Sequence, residues 1–149
     1  MTRTKTMVFM LLACAMLLGP LSRPTRAEPD EMFLTRSTAK TPEVVVDAVK
    51  AYAEAKKWQY LGANKVKQGE VTLVKICIPE VGKQIWPVGL HLSAMLPCGN
   101  LGVYQKGGST EISLLHPRYM QVLYPHPAIE KASATAQPLL TEMLDVVAK

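Results

Sequence analysis

Cysteine is scarce in this sequence, and its three cysteines, Cys14, Cys77 and Cys98, are far apart along the chain. The absence of Cys-x-x-Cys excludes a thioredoxin-type redox motif and a zinc ribbon, and the absence of Cys-x-x-Cys-His excludes covalent c-type haem. There is no Gly-x-Ser-x-Gly and no phosphate-cradling glycine loop before a helix. Between Val71 and Leu115 the only carboxylates are Glu80 and Glu111. Hydrolysis and paired acid–base catalysis therefore have little support, and we lean towards a protein that is not an enzyme.

A long hydrophobic run is also missing. The apolar stretch Met7–Leu18 is about a dozen residues, whereas a transmembrane helix needs about 20. Arg3 and Lys5 precede it, and Thr25-Arg26-Ala27 offers small residues at the −3 and −1 positions of a cleavage site. This pattern predicts a signal peptide over residues 1–27. The mature protein would be periplasmic or secreted, with no stable membrane anchor, and would form a single domain over residues 28–149.

A lipoprotein signal is the alternative, because Leu11-Leu12-Ala13-Cys14 resembles a lipobox. The apolar run, however, continues past Cys14 through Leu18, where a lipoprotein would turn polar. The pattern therefore favours ordinary cleavage near Ala27.

The excess of basic over acidic residues nearly disappears once the signal peptide is removed. Four of the 17 basic residues lie before residue 28 and none of the 12 acidic ones does, which leaves 13 basic and 12 acidic residues. No cluster of lysine and arginine remains that could follow a phosphate backbone. We therefore predict that nucleic acid is not a partner.

Hydrophobic periodicity predicts an α+β fold with the order β-α-β4-α. Its antiparallel sheet would have about four to five strands, with helices on one face. The predicted strands are Met32–Thr38, Trp58–Val66 (broken by Gly62), Val71–Ile78, Leu101–Gln105 and Thr110–Leu115. One helix is predicted to begin at Thr41-Pro42-Glu43 and another at Pro127, and Pro138 should kink the second helix or split it in two. A turn is predicted at Gln68-Gly69-Glu70, and short helical turns are predicted within Glu80–Ser93 and Tyr119–Tyr124.

Two short motifs and the elements that follow them give the chain a family resemblance. Cys77-Ile78-Pro79 ends a strand, Leu96-Pro97-Cys98 precedes the next, and a hairpin and a C-terminal helix follow. With these residues the chain, from about Phe33 to Val147, resembles the domain of unknown function 302 family. The resemblance implies a TATA-binding-protein-like α+β fold, commonly dimeric, with no established activity. The family usually has Asn before the proline that closes the hairpin, whereas His116 precedes Pro117 here, so any role of that position transfers poorly.

Cys77 and Cys98 are the two cysteines retained after cleavage, with twenty residues between them. One follows a strand and the other precedes one, so an antiparallel sheet would bring the two sulfur atoms to one end. In an oxidising compartment they would most simply form a structural disulfide. Two alternatives stay open: packing as small apolar side chains, or a reactive or soft-metal-binding thiol pair.

The histidines are candidates for a ligand site. His91 and His116 could ligate a metal or a non-covalent haem near the cysteines, although a histidine before a proline, as at His116 and His126, is usually a loop residue. We therefore hold three hypotheses. The first is an exported binding or accessory protein, a homodimer with a small ligand at the Cys77–Cys98 strand end and no confidently predicted cofactor. The others are a periplasmic thiol-disulfide redox protein and a haem- or metal-binding homodimer.

Overall fold

Five strands form one antiparallel sheet, as predicted. The computed structural model describes residues 32–94 and 101–149. The strand order across the sheet is β1-β5-β4-β3-β2, so β1 and β2 are the two edges. The strands are β1 (Phe33–Thr38), β2 (Gln59–Val66), β3 (Val71–Cys77), β4 (Leu101–Lys106) and β5 (Ser109–Leu115).

Four α-helices with described bounds accompany the sheet: α1 (Pro42–Ala55), α2 (Pro79–Ile85), α3 (Tyr119–Leu123) and α4 (Pro127–Val147). Short 3₁₀ segments occupy Lys67–Gly69 and Leu90–Ala94. The start of α1 follows the predicted pattern, because Thr41 Oγ1 accepts a hydrogen bond from the Val44 amide at 3.4 Å and Pro42 occupies the first turn. The α+β class and the antiparallel sheet are confirmed.

The hydrophobic core lies between the helices and one face of the sheet. Inward residues of β3, β4 and β5 alternate with outward ones and meet the apolar faces of α1, α2 and α4. The largest fully buried side chains include Val45, Val49, Val74, Ile76, Ile85, Leu101, Ile112, Ile129, Leu140, Met143 and Leu144. The opposite face, which we call the open face, carries exposed Phe33 and Leu73. A sheet covered on one side is the expected arrangement for antiparallel strands.

Two predictions about helices need correction or extension. Pro138 does not split the last helix: α4 is continuous from Pro127 to Val147. Pro138 lies on the exposed side, where water can hydrogen-bond the carbonyl oxygen that lacks a backbone donor. The stretch Glu80–Ser93 is more ordered than a single turn followed by a loop, because it contributes most of α2 and then a 3₁₀ segment.

Strand β2 passes through Gly62 instead of breaking there. Its register with β3 shifts between Tyr60 and Gly62, so Leu61 is the extra residue of a β-bulge. Gly62 has φ +119°, which glycine adopts without steric cost. The bulge keeps the rest of β2 in register with β3 up to Val66.

The predicted signal peptide and the lipobox alternative at Cys14 lie outside the described residues. None of the helices between residues 32 and 149 that the structure describes is long and apolar enough to cross a membrane.

Candidate functional site

The predicted thiol site is described only in part. Cys77 is the last residue of β3, pairs with Gln59 of β2 and is half-buried. Because Ile76 points into the core, the alternation of the strand directs Cys77 towards the open face. Cys98 lies outside the described residues, and its pairing with Cys77 stays a prediction.

The two candidate histidines contact different parts of the fold. The backbone N–H of His116, directly after β5, donates to the Met32 carbonyl at 2.8 Å, and its Nδ1 accepts a hydrogen bond from the Arg118 amide at 3.1 Å. Burial, together with the nearby Arg118 charge, lowers the pKa of His116. His91 is exposed, and its ring lies edge-on to Tyr124 with centroids 6.0 Å apart.

The predicted metal or haem site gains no support from these positions. Within residues 32–94 and 101–149, no three His, Cys, Asp or Glu side chains are grouped so that they could hold a metal ion. His126, the third histidine, instead caps α4, with its Nδ1 accepting from the Ala128 amide at 3.1 Å.

A cleft that the sequence analysis did not predict opens between the start of α1 and the sheet. One cavity of about 310 Å³ is lined by Glu43, Val46, Asp47, Ala63, Lys65 and Thr72. A second, of about 540 Å³, is lined by Pro42, Glu43, Lys67, Gly69, Glu70, Val71, Thr72, Tyr104 and Gln105. They share Glu43 and Thr72, and we call the two together the α1 cleft. Their volumes fall in the usual range for small-molecule sites.

The cleft exists because the sheet residues beneath the start of α1 are small or polar. Ala63 and Lys65 of β2 lie opposite Val74 and Thr72 of β3, and all four are on the face that carries the helices. Val74 is fully buried further along β3, but Thr72 and Ala63 do not fill the gap below the first turns of the helix. The helix and the sheet therefore separate at this end.

Thr72 is the polar group at the base of the cleft. Its side chain lines both cavities and the residue is only 8% exposed. Its hydroxyl has no hydrogen-bond partner among the residues that the structure describes. The other inward threonine of the sheet, Thr110, is 0% exposed and fully paired: it donates to the Lys40 carbonyl at 2.6 Å and accepts from Gln105 Nε2 at 2.8 Å. Thr72 Oγ1 is not one of the fully buried unpaired side-chain atoms of the described residues, which are Tyr52 Oη and Gln84 Oε1. The hydroxyl is therefore accessible from the cleft, where water or a ligand can hydrogen-bond it.

Charged side chains surround the opening. Lys65 Nζ lies 3.3 Å from Glu43 Oε1 and joins β2 to α1, and Lys67 Nζ lies 2.7 Å from Glu70 Oε2. A hydrogen bond from its own backbone amide, followed by the one from Lys65, lowers the pKa of Glu43. Asp47 also lines the cleft, one turn after Glu43, and has no ion pair within the described part of the chain. Both lysines are thus matched with carboxylates, while Asp47 is not.

Tyr104 lines the second cavity from β4, while its side chain is on the open face. Its hydroxyl donates to Glu111 Oε1, and Lys106 Nζ lies 3.0 Å from Glu111 Oε2. The hydrogen bond from Tyr104, followed by the one from Lys106, lowers the pKa of Glu111, and the same bond to Glu111 raises the pKa of Tyr104. The three side chains hold each other across the β4–β5 hairpin, so the ring of Tyr104 is held on the open face, beside Gly102 and on the opposite side of the sheet from Thr72.

One feature of the sequence pointed to this cleft. In β3 the inward positions are Thr72, Val74 and Ile76, so a hydroxyl interrupts an otherwise apolar inward row. The contribution of α1 could not be inferred from that pattern, because no local rule says which helix end will lie above Thr72.

Comparison with known proteins gives a family and a fold. The model of the family described as "Domain of unknown function DUF302" matches residues 34–147. The crystal structure of an uncharacterised conserved protein DUF302 from Bacillus stearothermophilus is similar, with a TM-score of 0.69 and 18% sequence identity. The similarity covers 79% of this chain and 98% of that one. No curated protein matches the sequence.

Proposed function

The chain belongs to the domain of unknown function DUF302 family, and on that footing we propose that it is an exported binding protein that holds a small ligand in the α1 cleft. The proposal keeps the binding or accessory function expected from the sequence. It moves the ligand from the Cys77 end of β3 to the Thr72 end.

The hydroxyl of Thr72 is the observation that carries this proposal. Thr72 is buried at the base of a cleft of adequate volume, and its hydroxyl lacks a protein hydrogen-bond partner among the described residues. Small-molecule sites typically combine apolar walls with a few convergent polar groups. Val46 and Ala63 supply the apolar part here, while Asp47 and Thr72 supply the polar part.

Export and dimerisation complete the proposal. The signal-like residues 1–27 favour a periplasmic or secreted protein. The family resemblance favours a homodimer, and the exposed Phe33 and Leu73 of the open face are on the side of the sheet that the helices leave uncovered. The α1 cleft is on the helix-bearing side, so a dimer formed through the open face would leave its Thr72 base accessible.

A thiol function of Cys77 is the second candidate. Its supporting observation is that Cys77 is half-buried at a strand end and directed towards the open face, where a reaction partner could reach it. A redox protein predicts that Cys77→Ser abolishes thiol-disulfide exchange with small thiols without unfolding the domain. A structural bridge predicts instead that reduction lowers stability by about 3 kcal/mol.

Native mass spectrometry of the mature protein tests the cleft function. We expect protein incubated with a mixture of polar metabolites to retain one of them, and Thr72→Val to reduce its occupancy. Thr110→Ser, which keeps a hydroxyl at a paired site, is the matched control and should retain wild-type occupancy. A ligand that Thr72→Val binds as well as the wild type, or no retained molecule at all, would contradict the proposal.

A further inference from the structure

We infer that the ligand of the α1 cleft carries a small ammonium group that binds at Asp47, with a short apolar stem beside Val46 and Ala63. This inference rests on the proposed function and adds the chemical class of the ligand. The observations that carry it are the charge arrangement at the opening and the hydroxyl at the base.

The charges of the cleft favour a cation. The cavity linings contain Glu43, Asp47 and Glu70 against Lys65 and Lys67. Each lysine already has a carboxylate within 3.3 Å, so neither offers an uncompensated positive charge. Asp47 is the carboxylate that keeps its negative charge unmatched within the described residues. An incoming ammonium group would therefore gain an ion pair, whereas an incoming carboxylate would face Asp47.

The start of α1 argues against an anion for a second reason. A free helix N-terminus attracts anions, but Thr41 already accepts a hydrogen bond from the Val44 amide. Glu43 adds a carboxylate in the same first turn, and this complements the positive end of the helix dipole. The groups that would otherwise bind an anion are thus already satisfied.

The base and walls of the cleft indicate the polarity and size of the rest of the ligand. Val46 and Ala63 present apolar surface on opposite sides, one from α1 and one from β2. Thr72 presents a hydroxyl that can accept from an N–H donor and donate to an acceptor. The cavity of about 310 Å³ has room for about ten water-sized groups, since water occupies about 30 Å³ in the liquid. A small aliphatic amine fits this description, whereas the phosphate of a nucleotide would face Asp47.

A matched set of four-carbon probes tests the ligand class. n-Butylamine, n-butanol and butyrate share the apolar stem and differ in head-group charge. Each is titrated into the full folded protein, and the amide shifts of Val46, Asp47, Ala63 and Thr72 are followed by two-dimensional NMR. We expect butylamine to shift these amides at a concentration about fivefold lower than butanol, because one partly exposed ion pair adds at most about that factor. Butyrate should bind most weakly.

Charge-neutralising variants locate the ammonium group. Asp47→Asn should weaken butylamine binding about fivefold and leave butanol binding unchanged. The matched control is Glu54→Gln, which removes one carboxylate from the exposed side of the same helix but lines neither cavity. Glu54→Gln should change the affinity for neither butylamine nor butanol. Added salt should weaken binding of butylamine alone.

The outcomes separate this inference from the function beneath it. If butanol or butyrate shifts the cleft amides more readily than butylamine, or if Asp47→Asn leaves butylamine binding intact, the ammonium ligand is wrong while the cleft remains a binding site. If none of the three probes shifts the cleft amides, the ammonium ligand is also wrong. The function itself is then judged by the metabolite screen, which assumes no ligand charge.

Discussion

At the scale of single residues, the two inward threonines of the sheet are the informative contrast. Thr72 and Thr110 have the same side chain, and both are buried against the helices. Thr110 satisfies its hydroxyl with the Lys40 carbonyl and the Gln105 amide, and so contributes to stability. Thr72 has no such partners among the described residues, so its hydroxyl is left for water or a ligand in the cleft. A stabilising position and a binding position can therefore be separated by their hydrogen bonds alone.

Valine substitutions at these positions should have unequal effects on stability. Thr72→Val removes a hydroxyl that water in the cleft can reach, at nearly constant volume, so we expect the free energy of unfolding to change by less than about 0.5 kcal/mol. Thr110→Val leaves the Lys40 carbonyl and the Gln105 side-chain amide without a partner. The free energy of unfolding of this variant should therefore fall by about 1–3 kcal/mol. Urea denaturation of the two variants and the wild type measures both changes. Destabilisation by Thr72→Val as large as that by Thr110→Val would show that the Thr72 hydroxyl is already satisfied within the protein.

At the scale of secondary-structure elements, Glu111 ties β4 to β5 through Tyr104 and Lys106. Its pKa in the folded protein is lower than the ordinary value of 4.5, which the unfolded chain keeps. As the pH falls, the unfolded chain therefore takes up the proton first. The stabilisation is fully present above pH 4.5 and is lost as the pH falls through the lowered folded pKa.

This pH dependence can be measured on the hairpin itself. Glu111→Gln should flatten the dependence of unfolding free energy on pH below 4.5, because it removes the titrating group. Tyr104→Phe should remove most of the same effect while keeping the carboxylate, since the tyrosine hydrogen bond is the largest cause of the lowered pKa. Chemical denaturation at several pH values between 3 and 6 gives the slope of unfolding free energy against pH for each protein. A slope in Glu111→Gln equal to that of the wild type would contradict this account.

Individual helices and strands were more predictable from the sequence than the features that depend on how they pack and pair. The alternation in β3, the glycine pair of the β4–β5 turn and the cap of α1 are local patterns, and all three elements formed where these patterns indicated. The effect of Pro138 was not local: the helix continues because the proline lies on the exposed side, and that side is set by how α4 packs. The bulge at Leu61 likewise depends on pairing with β3.

At the scale of the whole molecule, the Cys77-Ile78-Pro79 motif and the α1 cleft lie at opposite ends of β3. Cys77 ends the strand and is directed towards the open face, whereas Thr72 lies near its start on the helix-bearing face. Cysteine and histidine are the residue types with recognisable chemistry, and the sequence therefore indicates the first end. The cleft depends on which helix end stands above Thr72, and only the assembled fold determines that.

The most direct test of the central claim is to map a retained ligand onto the protein by amide chemical shifts. If the α1 cleft is the site, the largest shifts on adding the metabolite found by native mass spectrometry will be those of Val46, Asp47, Ala63 and Thr72. The same addition to Thr72→Val should give much smaller shifts. Shifts concentrated around Cys77 and His116 instead, with the cleft amides unmoved, would contradict the account and return the site to the thiol end of the strand.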